Sequence, residues 1–336
     1  MTSDDKRVGL CFLDRPGTDE QLELAKLADQ KGFHSIWACE TRLVRDAISV
    51  LGAFAPITKR VKLAPGVINI WTRVPTLTAL TFATLDELSH GRAILGVGAY
   101  WDPLAWKQGI ERKMPLTAMR EFVGIMRRLF KLERFTYEGK VMKVRDIALD
   151  LGYGRPKNPV NVPIYIGATG LKMMELTGEI ADGVFLNAFT SVPYLKLSLD
   201  ALGKGAKKAG KKVSEIDRPQ LIGVAMDEDA EKAKDAARYL VTLYLGQQPH
   251  IGLASGVKDQ LIKDVGEALG GWPPKKDGPK AAMKLVDDKV VDMLTVSGTP
   301  EDCRTGVQAY VKAGASYPVI LPITPNMSQM INTFGT

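Results

Sequence analysis

What most constrains this chain of 336 residues is a pairing that repeats along it: a short apolar run, then a stretch with helical spacing, then the same again. "VGLCFLD" (Val8 to Asp14) precedes "TDEQLELAKLADQKGF", where Leu22, Leu24, Ala25, Leu27 and Ala28 follow a helical period and Gly32 supplies the stop. "HSIWA" precedes "DAISVLGAFAPI", "VKLAPGV" precedes "PTLTALTFATLDELS", and "AILGVG" precedes "TAMREFVGIMRRLFKL". After an interruption come "PIYIGA" before "GLKMMELTGEIA", "DGVFLN" before "PYLKLSLDALGKGAKKAG", and "PQLIGVAM" before "DEDAEKAKDAARYLVTLYL". A later helix, "TPEDCRTGVQAYVKAGA", carries Thr299 as N-cap and Pro300 in its first turn, and "YPVILPI" ends the series.

Eight apolar runs separated by helices imply a parallel sheet, because parallel strands need long crossovers. The count favours a closed (β/α)8 TIM barrel, with an open doubly wound sheet as the alternative. In a barrel the chemistry gathers at the C-terminal strand ends. Two excursions, at about 134–161 and 247–296, account for the extra length; the first reads as short strands with a Pro/Gly-rich return, the second as short helices. One barrel domain over 1–336 is therefore expected.

Cys11, Cys39 and Cys303 are scattered and histidines number three, so neither a disulfide framework nor a metal centre is expected. The net charge of +7 comes from lysines spread over helical faces, as in "LGKGAKKAGKKVSE", without interleaved aromatics, which argues against a nucleic-acid partner. Such a charge does favour the approach of an anionic ligand. "MTSDDKRVGL" has no apolar signal region and no run approaches the roughly 20 residues that span a bilayer, so a cytoplasmic protein without membrane contact is expected.

Two glycine-rich stretches lie at strand ends. In "LDELSHGRAILGVGAYWD", Gly91 makes a turn, Gly96 lies within the strand, where it relieves crowding, and Gly98 sits at its open end. In "YIGATGLKMM", Gly167, Ala168, Thr169 and Gly170 join a strand to a helix. There backbone amides suit a phosphate, a compact turn being the alternative.

With "LDELSHGRAILGVG", "APGVINIWTRVP", "PIYIGATGLKMMELTGEIADGVFLNA" and "VSGTPED" in this order, the chain resembles the bacterial-luciferase-like oxidoreductases. Within them it is most similar to the deazaflavin-dependent branch that includes methylenetetrahydromethanopterin reductase, from about Val8 to Ile323. The resemblance implies an insertion-bearing TIM barrel, a homodimer or higher homo-oligomer, that binds coenzyme F420 (8-hydroxy-5-deazaflavin). FMN or NAD(P)H are the alternative cofactors. It implies hydride transfer between the reduced coenzyme and a small organic substrate, a reduced one-carbon pterin being nearest. An FMN-dependent monooxygenase, a flavin-free NAD(P)H reductase and a non-catalytic flavin-binding barrel are the competing readings.

For the site, the resemblance implies a non-prolyl cis peptide at Gly66-Val67 that supports the ring; an ordinary strand-ending turn is the alternative. It implies phosphate contacts from Gly167 to Gly170, cofactor contacts from Glu40, Asn69 and Asn187, and room for a planar ring at Gly98. Cys11, Thr41, Tyr100 and Trp101 are candidate substrate contacts, and Glu40, Asp14 and Asp102 candidate catalytic acids. Two departures stand out. Thr41 follows Glu40 where the family often has histidine, and Cys11 stands where the reductase has a glutamate. A buried thiol is a poor general acid for a pterin nitrogen. Arg73 is a candidate helix cap or partner for an acid across a dimer.

Overall fold

The computed structural model describes residues 7–41, 43–152 and 158–336. In chain order its strands are β1 (Gly9–Phe12), β2 (Ser35–Ala38), β3 (Lys62–Pro65), β4 (Ile68–Asn69), β5 (Leu95–Gly98), β6 (Phe135–Glu138), β7 (Lys143–Ile147), β8 (Ile164–Ala168), β9 (Gly183–Leu186), β10 (Pro219–Met226), β11 (Val296–Gly298) and β12 (Tyr317–Pro322). The eight expected runs are β1, β2, β3, β5, β8, β9, β10 and β12. Helices follow them where the periodicity places them, among them Thr18–Gln30, Ala47–Ile57, Pro75–Leu88, Pro115–Phe130, Leu171–Ile180 and Pro300–Lys312.

The chain divides into two compact units. Among the described residues, the larger comprises Phe12–Phe185 and Ala201–Asp217; the smaller comprises 7–11, Leu186–Asp200 and Arg218–Thr336. In the larger unit β2 runs parallel to β3 from Ser35↔Lys62 to Ala38↔Pro65. β5 lies between β4 and β8, with Asn69↔Gly98 and Gly98↔Gly167 in register. Beneath them Trp37 stacks on Phe185 with ring centroids 4.0 Å apart. The first excursion contains the antiparallel β6–β7 hairpin. Buried Glu121 holds its turn by accepting the amides of Lys140, Val141 and Met142 at 2.8, 3.0 and 2.8 Å.

In the smaller unit β10 runs parallel to β12 from Pro219↔Tyr317 to Val224↔Pro322. β12 in turn pairs with β1, Gly9 opposite Val319. First and last strands are thus neighbours, a pairing that an open doubly wound order does not make. The second excursion forms the short helices Pro249–Ala254, Asp259–Leu269, Gly278–Met283 and Asp288–Leu294. It ends in β11, which joins β10 in parallel at Val224↔Val296. That strand and the terminal helix Met327–Phe334 lie beyond what the apolar runs announce.

The N-terminal strand ends of the larger unit are closed by two buried charges. Asp29 accepts the amides of Lys59, Arg60 and Val61 at 2.9, 2.7 and 2.9 Å, just ahead of β3. Arg92 reaches the carbonyls of Ser89, Val61, Ala55 and Thr58 at 2.6 to 3.0 Å, and the Thr58 hydroxyl at 2.9 Å. No helix among the described residues is long and apolar enough to cross a membrane.

Candidate functional site

At the opposite, C-terminal ends of the strands, the chain leaves β3 at Gly66, whose amide still donates to the Ala38 carbonyl at 2.8 Å. The Gly66-Val67 peptide bond is cis, as the resemblance implied. A Cβ on Gly66 would lie 2.9 Å from the Phe185 ring, so only glycine passes this point without displacing the core.

Val67 then turns its methyls into space that two glycines leave open. A Cβ on Gly98 would lie 2.6 Å from Val67 Cγ2, and one on Gly167 would lie 3.0 and 3.1 Å from its two methyl carbons. The room at Gly98, expected to admit a planar ring, is therefore taken by Val67. Gly96 answers to a different neighbour: its Cβ would sit 2.0 Å from the Pro65 carbonyl oxygen, so here two backbones meet. Crowding inside the strand, the role expected of Gly96, has that carbonyl as its source.

The end of β8 leads through Gly167, Ala168 and Thr169 to Gly170, the N-cap of Leu171–Ile180. Gly170 contributes no side-chain cap, and nothing lies within 4 Å of where its Cβ would be. The first intrahelical bond runs from the Met174 amide to the Gly170 carbonyl. The amides of Leu171 to Met173 thus belong to the helix's open positive end, where an anion gains both hydrogen bonds and the dipole. A phosphate-bearing cofactor fits these residues.

Glu40, just past β2, accepts from Arg73 Nη1 at 2.8 and 3.0 Å. The other terminal nitrogen of Arg73 bonds Asp46, which caps Ala47–Ile57 through the Ser49 amide at 2.6 Å. Arg73 therefore pairs with two acids of its own chain. Burial pushes the Asp46 carboxyl up, but the Ser49 hydrogen bonds and the Arg73 charge outweigh it and hold the group below its ordinary range. Asn69 spends its Oδ1 on the amides of Trp71 and Thr72, at 3.0 and 2.9 Å, which leaves its amide nitrogen to offer a ligand.

Past β5, Tyr100 has a left-handed backbone, and its hydroxyl accepts from Gln108. Asp102 pairs with Arg112 at 2.5 Å while its side chain stays 79% exposed. Trp71 Nε1 and Arg112 Nε both donate to the Ala99 carbonyl, at 2.9 and 2.7 Å, and so tie this loop to the one after β4. Asp14 follows β1, with one carboxylate oxygen buried, in a turn fixed by Gln21 Nε2 donating to the Pro16 carbonyl at 3.0 Å. Thr41 is half-buried beside Glu40.

The structure brings Gly66, Val67, Gly98 and Gly167 together around one side chain, and Glu40 to Arg73. Cys11 and Asn187 belong to the smaller unit. Cys11 is 1% exposed within β1. Asn187 follows β9; its amide nitrogen donates to the Tyr244 hydroxyl, and its backbone carbonyl accepts from Gln220 Nε2 at 2.7 Å. Burial pushes the Tyr244 hydroxyl above its usual range, so it remains a neutral partner for that amide. Residue reading missed Arg112, Gln108 and Tyr244, whose partners lie too far along the chain, or in too irregular a loop, to leave a spacing signal. It also missed Cys39, whose only mark was its place beside Glu40.

Residues 7–317 match the family model for luciferase-like monooxygenases, and the chain belongs to that family. Its fold is accordingly the luciferase-like TIM barrel. Within the family, it is 34% identical to 5,10-methylenetetrahydromethanopterin reductase of Archaeoglobus fulgidus, over 92% of each chain. It is 30% identical to the F420-dependent glucose-6-phosphate dehydrogenase of Nakamurella multipartita, over 80% of this chain and 83% of that one. The solved coenzyme F420-dependent tetrahydromethanopterin reductase of Methanopyrus kandleri superposes with a TM-score of 0.86 at 28% identity, covering 98% of this chain and 97% of the other.

Proposed function

We propose that this protein is a coenzyme F420-dependent oxidoreductase that passes a hydride between the coenzyme and a small organic substrate, a one-carbon-bearing reduced pterin being the nearest match. The observation that carries this reading is Val67 seated over Gly98 and Gly167, one strand end away from the uncapped helix start at Gly170. The bound deazaflavin supplies a ring carbon that gives or takes the hydride. Everything else falls to side chains and backbone that shape, orient and exclude water.

Val67 and Gly66 form the wall behind the ring, and Gly98 contributes by letting Val67 seat. Gly167 to Gly170 receive the phosphate on backbone amides, with the Asn69 amide as a further polar contact. Glu40, engaged by Arg73, fixes the loop after β2 as a polar edge. Of the candidate acids, Asp102 is exposed and paired with Arg112, whereas Asp14 has a buried carboxylate oxygen. Asp14 is therefore assigned the proton exchange with the substrate nitrogen that the thiol of Cys11 serves poorly. Thr41, Tyr100 and Trp101 line the substrate side.

The protein works as a cytoplasmic homodimer. The helix Pro75–Leu88 turns Leu77, Leu80 and Leu88 to solvent at 49%, 51% and 49% exposure, with Val74 at its start. On the same face the hydroxyls of Thr81 and Thr84 donate back to the Leu77 and Leu80 carbonyls. A stripe of this kind marks an interface. Equilibrium sedimentation should show a dimer, and the Leu80→Glu variant a monomer; a monomeric wild type overturns this part.

Titration of the purified protein with F420, FMN and NADH, followed by fluorescence, tests the cofactor. Saturable F420 binding, followed by oxidation of reduced F420 on adding a methylene-tetrahydropterin, is the expected result. Tight FMN binding with none for F420 overturns it.

A further inference from the structure

We infer that Cys39 is a positioning residue for the Val67 wall: its thiol holds the Gly66 carbonyl and thereby fixes the face that Val67 presents. The β2–β3 ladder ends at Ala38↔Pro65, so one residue later the Gly66 carbonyl has left regular pairing. Cys39 Sγ donates to that oxygen at 3.1 Å, while the Gly66 amide is tied to the Ala38 carbonyl at 2.8 Å. Cys39 is itself anchored, its own amide donating to the Phe12 carbonyl at 2.9 Å. Consecutive residues of β2 and its exit therefore grip Gly66 by both of its polar atoms, and Gly98 and Gly167 receive the next side chain. A wall free to rock there would present a variable surface to a planar ligand. A thiol is a weak donor, so the tie orients the turn more than it stabilises the fold.

The part that concerns the coenzyme rests on the cofactor reading proposed above, so the test has two independent readouts. The first needs no ligand: hydrogen exchange of the segment from Gly66 to Ile70. It should quicken in Cys39→Ala and return toward wild type in Cys39→Ser, whose hydroxyl is also a donor. The second is F420 affinity, which should fall about three- to tenfold in Cys39→Ala and recover to within about twofold in Cys39→Ser. The substrate KM and the melting temperature should stay near wild type.

Treating the folded wild type with methyl methanethiosulfonate replaces the S–H by a mixed disulfide without relying on any variant's folding. Cys39 is the half-buried thiol, whereas Cys11 and Cys303 are 1% and 0% exposed, and burial pushes the Cys303 thiol up to about 12. The modified protein should behave as Cys39→Ala does. Unchanged exchange in both Cys39→Ala and the modified protein overturns the inference whatever the cofactor proves to be. Altered exchange in both, alongside a wild type that binds no F420, would instead keep the tie and overturn the cofactor reading.

Discussion

The two ends of the strands in the larger unit are built on opposite principles. At the N-terminal ends, buried charged side chains satisfy backbone: Arg92 makes five hydrogen bonds, four of them to carbonyls, and Asp29 takes three amides. At the C-terminal ends, side chains are withheld: Gly66 passes the Phe185 ring, Gly96 the Pro65 carbonyl, Gly98 and Gly167 receive Val67, and Gly170 leaves a helix start uncapped. The first arrangement fixes the elements; the second leaves a shaped surface with backbone donors at its rim. Stability and binding are thereby given to different ends of the same strands, which separates the effects expected of mutations at each.

The largest effect is expected where that division breaks down. Gly96 lies on the binding side, but what its missing side chain accommodates is the Pro65 carbonyl, 2.0 Å from where a Cβ would be. A peptide oxygen cannot rotate aside as a side chain can. Gly96→Ala is expected to give no soluble folded protein, seen as loss of the cooperative thermal transition. A folded Gly96→Ala would mean the sheet yields at this crossing.

Arg92→Met comes next. Methionine keeps the stem but leaves the carbonyls of Ala55, Thr58, Val61 and Ser89 without that donor, for an expected loss of about 3–5 kcal/mol in urea unfolding. Burial pushes the Arg92 guanidinium below its ordinary value, and the Asp29 charge offsets part of that shift. F420 affinity of the folded fraction should be unchanged. A parallel loss of affinity would show that the two ends are not separable.

Much of this end was open to inspection in the sequence only as punctuation. The strand–helix rhythm reports burial period, and it located eight strands because each carries an apolar run. β11 has three residues, Val-Ser-Gly, too few to show a period, and it is a strand because β10 pairs with it. The site was legible where glycines or a family pattern marked it, as at Gly66-Val67 and Gly167 to Gly170. It was illegible where distant partners decide the role. Glu40 meets Arg73 thirty-three positions away, and the space at Gly98 goes to a valine from another strand end. A glycine tells the reader that room is needed, not for whom.

Gly98→Ala tests that last point directly. Its Cβ would meet a side-chain methyl, which can shift, so the expected cost is about 1–3 kcal/mol, with F420 affinity reduced about tenfold or more. Adding Val67→Ala should restore most of the stability, a coupling of about 0.5–3 kcal/mol, but not the affinity, because the wall is then gone. Recovery of both would place the ring elsewhere.

The smallest effect returns to the stabilising end and is read against pH. Burial pushes the Asp29 carboxyl up, but its hydrogen bonds from Val61, Arg60 and Lys59, aided by the Arg60 charge, outweigh this and leave it below its ordinary value of 3.8. A carboxyl with a lower value folded than unfolded adds stability that is fully present above the unfolded value. That stability is lost as pH falls from about 3.8 through the folded value, where the native state must also take up the proton. Asp29→Asn should therefore lower stability at neutral pH by about 1–2 kcal/mol, since one amide oxygen replaces two carboxylate oxygens facing three amides. It should also flatten the acid limb of the stability profile. Because neither Gly98 nor Val67 carries a titrating group, the acid limb of Gly98→Ala should keep the wild-type slope. A flattened limb there would tie Asp29 to the wall at the far end of β3.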